Sequence, residues 1–553
     1  MNPPPAIRRL EALLPASPRH RLALGLSLAV LVLAAATAPA VGVSRDEGVY
    51  FVAAESYGRF WAEAVRSPSR TLALADQRFA VNHEHPALAK QLYAATHAVL
   101  NGGLGLSHAQ GYRFGAFLLA ALLTFVLSLF GHDLAGRPGA LLAPALFWLV
   151  PRHFYHAHPA ALDMPVTALW LATVFAYRKS LLGRGDGRAY LRWSLATGAL
   201  FGAAVAVKHN GWFLPPLLLA HWLATHSAAV RRGALAERLR AVPLAFPCMA
   251  LLGPLVLLLA WPWLWHHPLE RLREYFAFHL GHENYPWMYL GTLLRRPPFP
   301  VLYPYVVTAL TVPAASLAAM AGGIAHSLRR LWLAVRGTGD ASISDEVLLL
   351  VNALFPMALI AWPTVPHFGG VKHWLPAMPF LALLGARALA TAGRRLWPAR
   401  PALVTGALAA LALVPAAWSV AHVHPFGTAA YNEIAGGAPG AASLGMQRQF
   451  WGDDMVAVLG AINVHAAPGA HVWYQEASVA ATWAYQRDGR LRGDLVRVEG
   501  PEEADISVWQ YHQEFRDKEF STWTQFRTAR PVTGTYLDEV PLVQVYARPG
   551  AWR

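Results

Sequence analysis

The chain has 553 residues, of which 55% are hydrophobic and only 14% are charged. Soluble domains carry about 25% charged residues, so this composition excludes an ordinary soluble protein and indicates a chain that lies largely within a membrane. The net charge is +14, with 35 basic and 17 acidic residues up to His424 and 11 basic and 15 acidic residues after it. The basic excess therefore lies in the apolar part, where it signals membrane orientation and not nucleic-acid binding. The single cysteine, Cys248, excludes an internal disulfide and a cysteine-based metal site.

Long apolar segments recur along the first three quarters of the chain. Residues 22–41 contain no charge, and a helix of that length crosses a hydrocarbon core about 30 Å thick. Ten more apolar segments follow, at 114–130, 140–154, 162–177, 193–207, 211–226, 242–265, 301–325, 347–362, 374–391 and 401–420. The sequence therefore predicts a polytopic α-helical membrane protein with about eleven transmembrane helices.

Arginine and lysine recur in every second loop that connects these segments, which is the positive-inside pattern. The residues that form it include Arg137, Arg178, Lys179, Arg184, Arg329, Arg330, Arg394 and Arg395. The opposite face then carries the outer loops 44–111 and 266–300 and everything after the last segment. We predict a multi-pass protein of the inner membrane with its N-terminus in the cytoplasm and its C-terminus in the periplasm.

The pattern changes at about Pro425. Short apolar runs at 471–474, 505–509 and 540–546 alternate with polar stretches such as 453–464. Alternation of this kind over about 125 residues is typical of a small α/β domain. We predict a transmembrane domain at 1–424 and a soluble, extracytoplasmic α/β domain at 425–553.

Two adjacent carboxylates, Asp46 and Glu47, directly follow the first apolar segment. Carboxylates at a bilayer edge are costly unless they are solvated or paired. One interpretation is a solvated helix start, where the helix dipole favours acids. The other is a pair of functional carboxylates, and the two interpretations have equal weight here.

A second polar cluster lies at 82–90 and contains His85 and Lys90. Its two histidines, at 83 and 85, flank Glu84 but do not have the helical spacing of a two-histidine metal site. A loop that recognises phosphate or sugar is an equally good interpretation.

The third cluster, at 151–165, contains Arg152 and Asp163. Asp163 opens the fourth predicted span, as an N-cap, as a catalytic or ligand-orienting carboxylate, or as both. Lys208 and the pair Lys372 and His373 lie at outer span edges, against the positive-inside trend. Each lysine is therefore a candidate phosphate ligand, with snorkelling to lipid headgroups as the alternative.

The sequence has no P-loop and no glycine-rich dinucleotide motif, so nucleotide-driven chemistry finds no support. A lipid-linked phosphate substrate fits better. Its phosphate needs cations, its tail needs grooves between helices, and its acceptor hydroxyl needs a general base.

These motifs, in this order, resemble the lipid-carrier-dependent membrane glycosyltransferases. That class includes the protein O-mannosyltransferases and the aminoarabinose transferases that modify lipid A. The motifs are Arg-Asp-Glu at 45–47, His-Pro-x-Leu at 85–88, Asp163, Lys208, Lys-His-x-x-Pro-x-x-Pro from 372, and the stretches 431–437 and 451–453. The resemblance implies a C-type glycosyltransferase fold, with Asp46 as base, Glu47 as its partner and Asp163 as the second acid.

We therefore expect an inverting transfer of a hexose or pentose from a polyprenyl-phosphate donor to a hydroxyl of an extracytoplasmic protein or glycolipid. Asp46 and Asp163 are the predicted catalytic residues. The predicted substrate ligands are Glu47, His85, Lys90, Arg152, Lys208, Lys372 and His373.

Three points stay open at this stage. A transporter or flippase of lipid-linked sugars, or a non-catalytic partner in a cell-envelope complex, would share part of this pattern. The resemblance also implies a divalent cation as a candidate cofactor. Its ligands are not selected by the sequence, and those available are Glu84, His266, His267, His279 and His282.

Overall fold

The computed structural model describes residues 17–232, 241–338, 343–366 and 368–553. Up to residue 423 the chain is almost entirely helical, apart from one small hairpin of strands β1 (Trp287–Tyr289) and β2 (Thr292–Leu294). The helices are α1 (Pro18–Thr37), α2 (Arg45–Arg66), α3 (Thr71–Phe79), α4 (Leu88–Leu104), α5 (His108–Trp148), α6 (Pro151–His156), α7 (Asp163–Leu182), α8 (Gly187–Val205), α9 (Leu214–Arg232), α10 (Ala245–Ala260), α11 (Pro268–Leu280), α12 (Tyr303–Thr311), α13 (Ala314–Val335), α14 (Ser344–Ile360), α15 (Met378–Leu396) and α16 (Pro401–Val423).

Each of the eleven predicted apolar segments overlaps one or two of these helices. Within the described residues, four helical stretches are long and apolar enough to cross a membrane by length and composition. They are Pro18–Ala40, His108–Trp148, Leu375–Leu396 and Pro401–Val423. A membrane crossing by the remaining helices stays a prediction.

Helix α5 contains two of the predicted segments, and it is bent back on itself. Ala135 and Gly136 have non-helical backbone angles, with a φ of 65° at Gly136. A Cβ atom on Gly131 would lie only 2.3 Å from the carbonyl oxygen of Gly139, although eight residues of continuous helix would span about 12 Å. The two arms are therefore antiparallel, and glycine at 131 lets their backbones touch.

The prediction of one continuous span at 301–325 is wrong. Helix α12 ends at Thr311, and α13 begins at Ala314. Pro313 lies between them, lacks an amide donor and restricts the residue before it to extended backbone. Val312 accordingly has a ψ of 128°.

The charged residues of the bundle gather at its two opposite ends. Asp163 begins α7, and Arg178 lies fifteen residues later, about 22 Å along a helix. Arg178 donates to Asp345 over 2.7 Å, and it also pairs with Asp133 at the bend of α5. Asp133 is shared with Lys179 at 3.1 Å. This second end contains the residues that we predict to face the cytoplasm.

The C-terminal part forms a mixed five-stranded sheet with the strand order β4-β3-β5-β7-β6. The strands β3, β4 and β5 are parallel, whereas β7 is antiparallel to both β5 and β6. The strands are β3 (His471–Tyr474), β4 (Val496–Val498), β5 (Ile506–Gln510), β6 (Thr533–Leu537) and β7 (Val540–Ala547), and the helices are α17 (Gly437–Ser443), α18 (Leu459–His465), α19 (Val479–Arg487) and α20 (Arg516–Phe526). The three predicted apolar runs are confirmed as β3, β5 and β7.

The sheet domain packs on the end of the bundle where α2 and α7 begin. The Tyr485 hydroxyl accepts a hydrogen bond from the Val43 amide over 2.6 Å. The Asp488 carboxylate accepts one from the His108 amide, also over 2.6 Å. The domain therefore covers the same end that contains Asp46.

Candidate active site

Asp46 is fixed by the way α2 begins. The Ser44 hydroxyl accepts a hydrogen bond from the Glu47 amide, and the Glu47 carboxylate accepts one from the Ser44 amide, each over 3.3 Å. This reciprocal capping box satisfies two amides at the helix start. Asp46 then lies in the first turn, as the helix-start interpretation of this acidic pair expects.

Glu47 points away from Asp46 into a buried ion pair with Arg113. The two side chains are fully buried, and both carboxylate oxygens accept from the guanidinium over 2.7 Å. Glu47 also accepts from the Ala160 amide over 2.8 Å, and Arg113 donates to the carbonyl of Val41 over 2.8 Å. Glu47 therefore joins α2, α5 and the start of α7, and its oxygens are already occupied.

Asp46 pairs with Lys372 over 3.1 Å. Lys372 lies in a short 3-10 helix, Gly370–His373, and its ammonium is 3.6 Å from the ring centroid of Trp451. A Cβ atom on Gly369 would lie 2.3 Å from the Lys372 side chain and 2.7 Å from Trp451. Glycine is thus required at 369 for the lysine to lie between the carboxylate and the ring.

A second ion pair joins Asp163 to Lys208 over 2.6 Å. The helix cap of α7 is Leu162, which makes no side-chain cap, so the N-cap interpretation of Asp163 is wrong. The physical reason is that the carboxylate is bonded to the lysine instead of to backbone amides. Lys208 directly precedes a 3-10 helix, His209–Phe213, and has extended backbone.

The two ion pairs border one small cavity. Asp46, Asp163 and Lys372 line it together with Tyr155, His156 and Trp451, and Ser44, Pro159 and Ala161 complete the lining. Its volume is about 10 Å³, which is room for about one water molecule. The charged side chains therefore meet each other directly, and little space is left between them.

The charges set the protonation of Asp46. Burial alone would raise the pKa of its carboxyl group, but the Lys372 ammonium and the Arg45 guanidinium lower it below the ordinary value. Burial lowers the pKa of Lys372, and the Asp46 and Asp163 carboxylates oppose that shift. At neutral pH Asp46 is therefore an ionised acceptor next to a cation.

Arg152 and His373 lie close to Lys372 but outside this cavity lining. The buried guanidinium of Arg152 lies 4.7 Å from the ring centroid of Tyr431 and donates to the Ala430 carbonyl over 3.2 Å. His373 accepts from the Gly369 amide over 3.2 Å. In this structure both side chains support the segments around the cavity.

Lys90 and His85 form a separate buried group. The Lys90 ammonium donates to the Asn82 carbonyl, the Asn82 side chain and the His85 carbonyl, over 2.8, 2.9 and 2.8 Å. All three of its hydrogens are used to hold this turn. The ring of His85 lies 5.5 Å from that of His279, between centroids.

The available metal ligands do not converge. Among the described residues, no group of three or more histidine, cysteine or acidic side chains is placed to hold a metal ion. His279 bonds to the Glu84 carbonyl, not to its carboxylate, and His266 is 3.9 Å from Asp76. His267 is largely exposed beside Glu270. In this conformation these residues do not fit a divalent cation.

Among the residues that contact the charged side chains, Arg45, Arg113 and Trp451 were not selected from the sequence as site residues. Arg113 lies at the predicted outer edge of an apolar segment, so the positive-inside criterion that selected Lys208 and Lys372 could also have found it. Trp451 belongs to a quoted motif, but nothing in its spacing indicates a contact with Lys372.

No protein family and no functionally described protein matches the sequence. Similar solved structures include ArnT from Cupriavidus metallidurans bound to undecaprenyl phosphate, with 14% identity, a TM-score of 0.49, and coverage of 95% of this chain and 97% of that chain. The apo state of ArnT gives 15% identity and a TM-score of 0.48 over the same coverage.

The archaeal oligosaccharyltransferase AglB from Archaeoglobus fulgidus, in complex with an inhibitory peptide and a dolichol-phosphate, is also similar. It shows 12% identity and a TM-score of 0.46, over 87% of this chain and 65% of that chain. ArnT, an aminoarabinose transferase, and AglB are both lipid-carrier glycosyltransferases, the class that the sequence motifs resemble. At these identities and scores the likeness says nothing about a substrate of this chain.

Proposed function

We propose that this protein is a membrane glycosyltransferase that moves a sugar from a polyprenyl-phosphate donor to a hydroxyl of an extracytoplasmic acceptor, with inversion. One observation carries the proposal. Two carboxylate–lysine pairs, Asp46–Lys372 and Asp163–Lys208, meet at one cavity at a single end of an apolar helical bundle. Few charged residues exist in such a chain, yet three of these four line the cavity, and Lys208 is bonded to one of the three.

The lysines suit the phosphate of the donor. A sugar phosphodiester carries negative charge that grows on the departing oxygen as the glycosidic bond breaks. Charge-assisted hydrogen bonds from ammonium groups stabilise that oxygen, more strongly in a water-poor site. Lys372 and Lys208 are held by carboxylates until a phosphate competes for them.

Asp46 suits the general base. Its carboxylate is ionised, and its side chain is 32% exposed, in contrast to the buried Glu47. The acceptor oxygen attacks the anomeric carbon, its proton passes to Asp46, and the bond to the phosphate oxygen breaks with its electron pair. Attack from the face opposite the phosphate inverts the anomeric centre.

The other residues then take supporting roles. Asp163 orients Lys208 and is available to a sugar or acceptor hydroxyl. Glu47 positions the first turn of α2 through Arg113. Apolar helices around the site provide the surface for a polyprenyl tail. The membrane location, a cytoplasmic N-terminus and a C-terminal domain on the acceptor's side belong to the same proposal.

The test is transfer of radiolabelled sugar from undecaprenyl phosphate carrying mannose, glucose or aminoarabinose to a membrane extract that retains both its proteins and its glycolipids, with purified protein in vesicles. Asp46→Asn is expected to lower the rate by about 10²–10⁴-fold, because it removes general-base assistance. Glu55→Gln, the same acid-to-amide change farther along α2, is the control and should retain the wild-type rate. Near-normal transfer by a correctly inserted Asp46→Asn protein would remove Asp46 as the base.

The same vesicles test the transporter alternative. If labelled sugar lipid crosses the bilayer without cleavage of its phosphate bond, the protein moves its lipid intact and the transferase proposal fails.

A further inference from the structure

The C-terminal domain contains a second cavity, of about 380 Å³, within the range of about 300–1,000 Å³ that is usual for ligand sites. It lies beyond the carboxyl ends of β3 and β4, and residues 475–477 and 499–502 line it. Strand β4 lies on one side of β3 and strand β5 on the other, so the chain crosses over β3 between β4 and β5. In open sheets with parallel strands, such a reversal of strand order is where ligands bind.

Several residues of the lining carry buried hydrogen-bond donors without a partner. Among the described residues, Nε and Nη1 of Arg497, Nε2 of Gln475 and the hydroxyl of Tyr474 are buried and have no hydrogen-bond partner. Gln475 is 1% and Tyr474 is 2% exposed. Buried donors without acceptors lower stability, so their concentration in one cavity points to a ligand that supplies oxygen acceptors.

The lining contains two cations and three carboxylates, so the partners of each carboxylate decide which ligand charge fits. Lys518 adds a second cation to Arg497. Of the three glutamates in the lining, Glu476 is paired with Arg45 over 3.0 Å, and Glu499 is 86% exposed and 4.0 Å from Arg497. The carboxylate of Glu502 lies against Gly500. No described carboxylate therefore lies within hydrogen-bond distance of the unpartnered Arg497 nitrogens.

We propose that this cavity binds an oxyanion, a phosphate or a carboxylate, carried by a sugar-sized ligand. Its volume is too large for the anion alone, and a guanidinium presents paired donors to either group. Within the proposed function, on which this step rests, the ligand is a phosphorylated or carboxylated sugar unit of the acceptor.

The cavity is connected to Asp46 through Glu476. The Glu476 carboxylate holds Arg45, whose guanidinium is 3.8 Å from the Asp46 carboxylate. Glu476 has a φ of 60°, a left-handed backbone conformation that is unusual for a residue other than glycine. The segment at 475–477 thus carries both an unpartnered donor, on Gln475, and the partner of Arg45, on Glu476, so it links the cavity to the residue that contacts Asp46.

The test is ligand-observed NMR with the full-length protein in detergent micelles, using glucose 6-phosphate, glucuronate and glucose as probes. At least one anionic probe is expected to bind about tenfold more tightly than glucose. Arg497→Gln should weaken that binding about tenfold, and Ser521→Trp should block the cavity. Arg516→Gln, on the exposed surface of α20, is the matched control and should bind as wild type. Each variant should unfold at the wild-type temperature, which verifies that it is folded.

The proposal is overturned if neither anion binds more tightly than glucose, or if both Arg497→Gln and Ser521→Trp bind as wild type does. Asp46→Asn separates this result from the proposed function. Its binding of the anion should be unchanged although its transfer is lost. Normal transfer by Asp46→Asn with intact anion binding would overturn the enzyme mechanism alone.

Discussion

Asp46 and Lys372 are 326 positions apart in the chain, yet their side chains lie 3.1 Å apart. Each was selectable from the sequence because it is a charged residue at the edge of an apolar segment. The ion pair between them was not predictable, because neither periodicity nor spacing in a sequence indicates which helix ends lie together. Because a sequence does not show which residues are in contact, Glu47 was expected to bind substrate, whereas it forms an ion pair with Arg113.

The pairing of Asp46 predicts a shift in the pH dependence of transfer. The Lys372 ammonium lowers the pKa of Asp46, so Lys372→Met should raise it. The rate falls as pH falls through the pKa of a required base, so the acid limb of kcat/KM should move to higher pH in the variant. A pH–rate profile with limiting acceptor measures this. An acid limb at the wild-type pH would show that Lys372 does not set the protonation of the base.

At the scale of the element, helices were predictable and their interruptions were less so. Long apolar runs specify helices because each buries its surface against neighbours or lipid. The break at Val312 and Pro313 had a visible signal, since the residue before a proline is biased away from helix. The bend at Gly136 was expected, because Arg137 marks a loop between the predicted spans 114–130 and 140–154. The strands β3, β5 and β7 were predictable from short apolar runs, whereas β4, of only three residues, was not.

The start of α2 depends on the buried Glu47–Arg113 pair. Arg113→Met leaves the carboxylate buried without its cation, which should lower stability by about 3–5 kcal/mol. Arg59→Met is the control, because Arg59 is 59% exposed and forms a surface pair with Glu55 that is worth about 0–1 kcal/mol. Thermal unfolding in detergent measures both. Equal unfolding temperatures for the two variants would contradict the structural role of the buried pair.

The short 3-10 helix Asp454–Val458 contains an acid that predicts a pH-dependent stability. Both carboxylate oxygens of Asp454 lack a hydrogen-bond partner among the described residues. Burial raises the pKa of Asp454 well above its ordinary value, and the Asp453 carboxylate adds to the shift. Burial raises the pKa of Asp453 to about 6.

The unfolded chain ionises near the ordinary pKa, while the folded chain keeps its protons to higher pH. Stability therefore falls as pH rises from the ordinary value through the folded pKa of each group. Asp454→Asn should show a smaller loss of unfolding temperature between pH 5 and pH 8 than wild type. Asp517→Asn, an exposed change on α20, should leave that loss unaltered. A wild-type pH dependence in Asp454→Asn would contradict the assignment.

At the scale of the whole molecule, the positive-inside pattern predicts which charged residues lie at each end of the bundle. The structure has one end with Asp133, Arg178 and Asp345, and another with Asp46 and Lys208. The sequence could not predict that the sheet domain reaches the second end through Glu476 and Arg45. That contact joins the proposed anion-binding cavity to the candidate active site at one end of the molecule.

The most direct test of sugar transfer at Asp46 is mass spectrometry of the lipid that co-purifies with the wild-type protein and with Asp46→Asn. Wild type should contain mainly bare polyprenyl phosphate, the product. Asp46→Asn should contain the same lipid with its sugar attached, because binding through Lys372 and Lys208 persists while transfer stops. An equal ratio of sugar-loaded to bare lipid in the two proteins, or the absence of polyprenyl phosphate from both, would contradict a sugar transfer at this site.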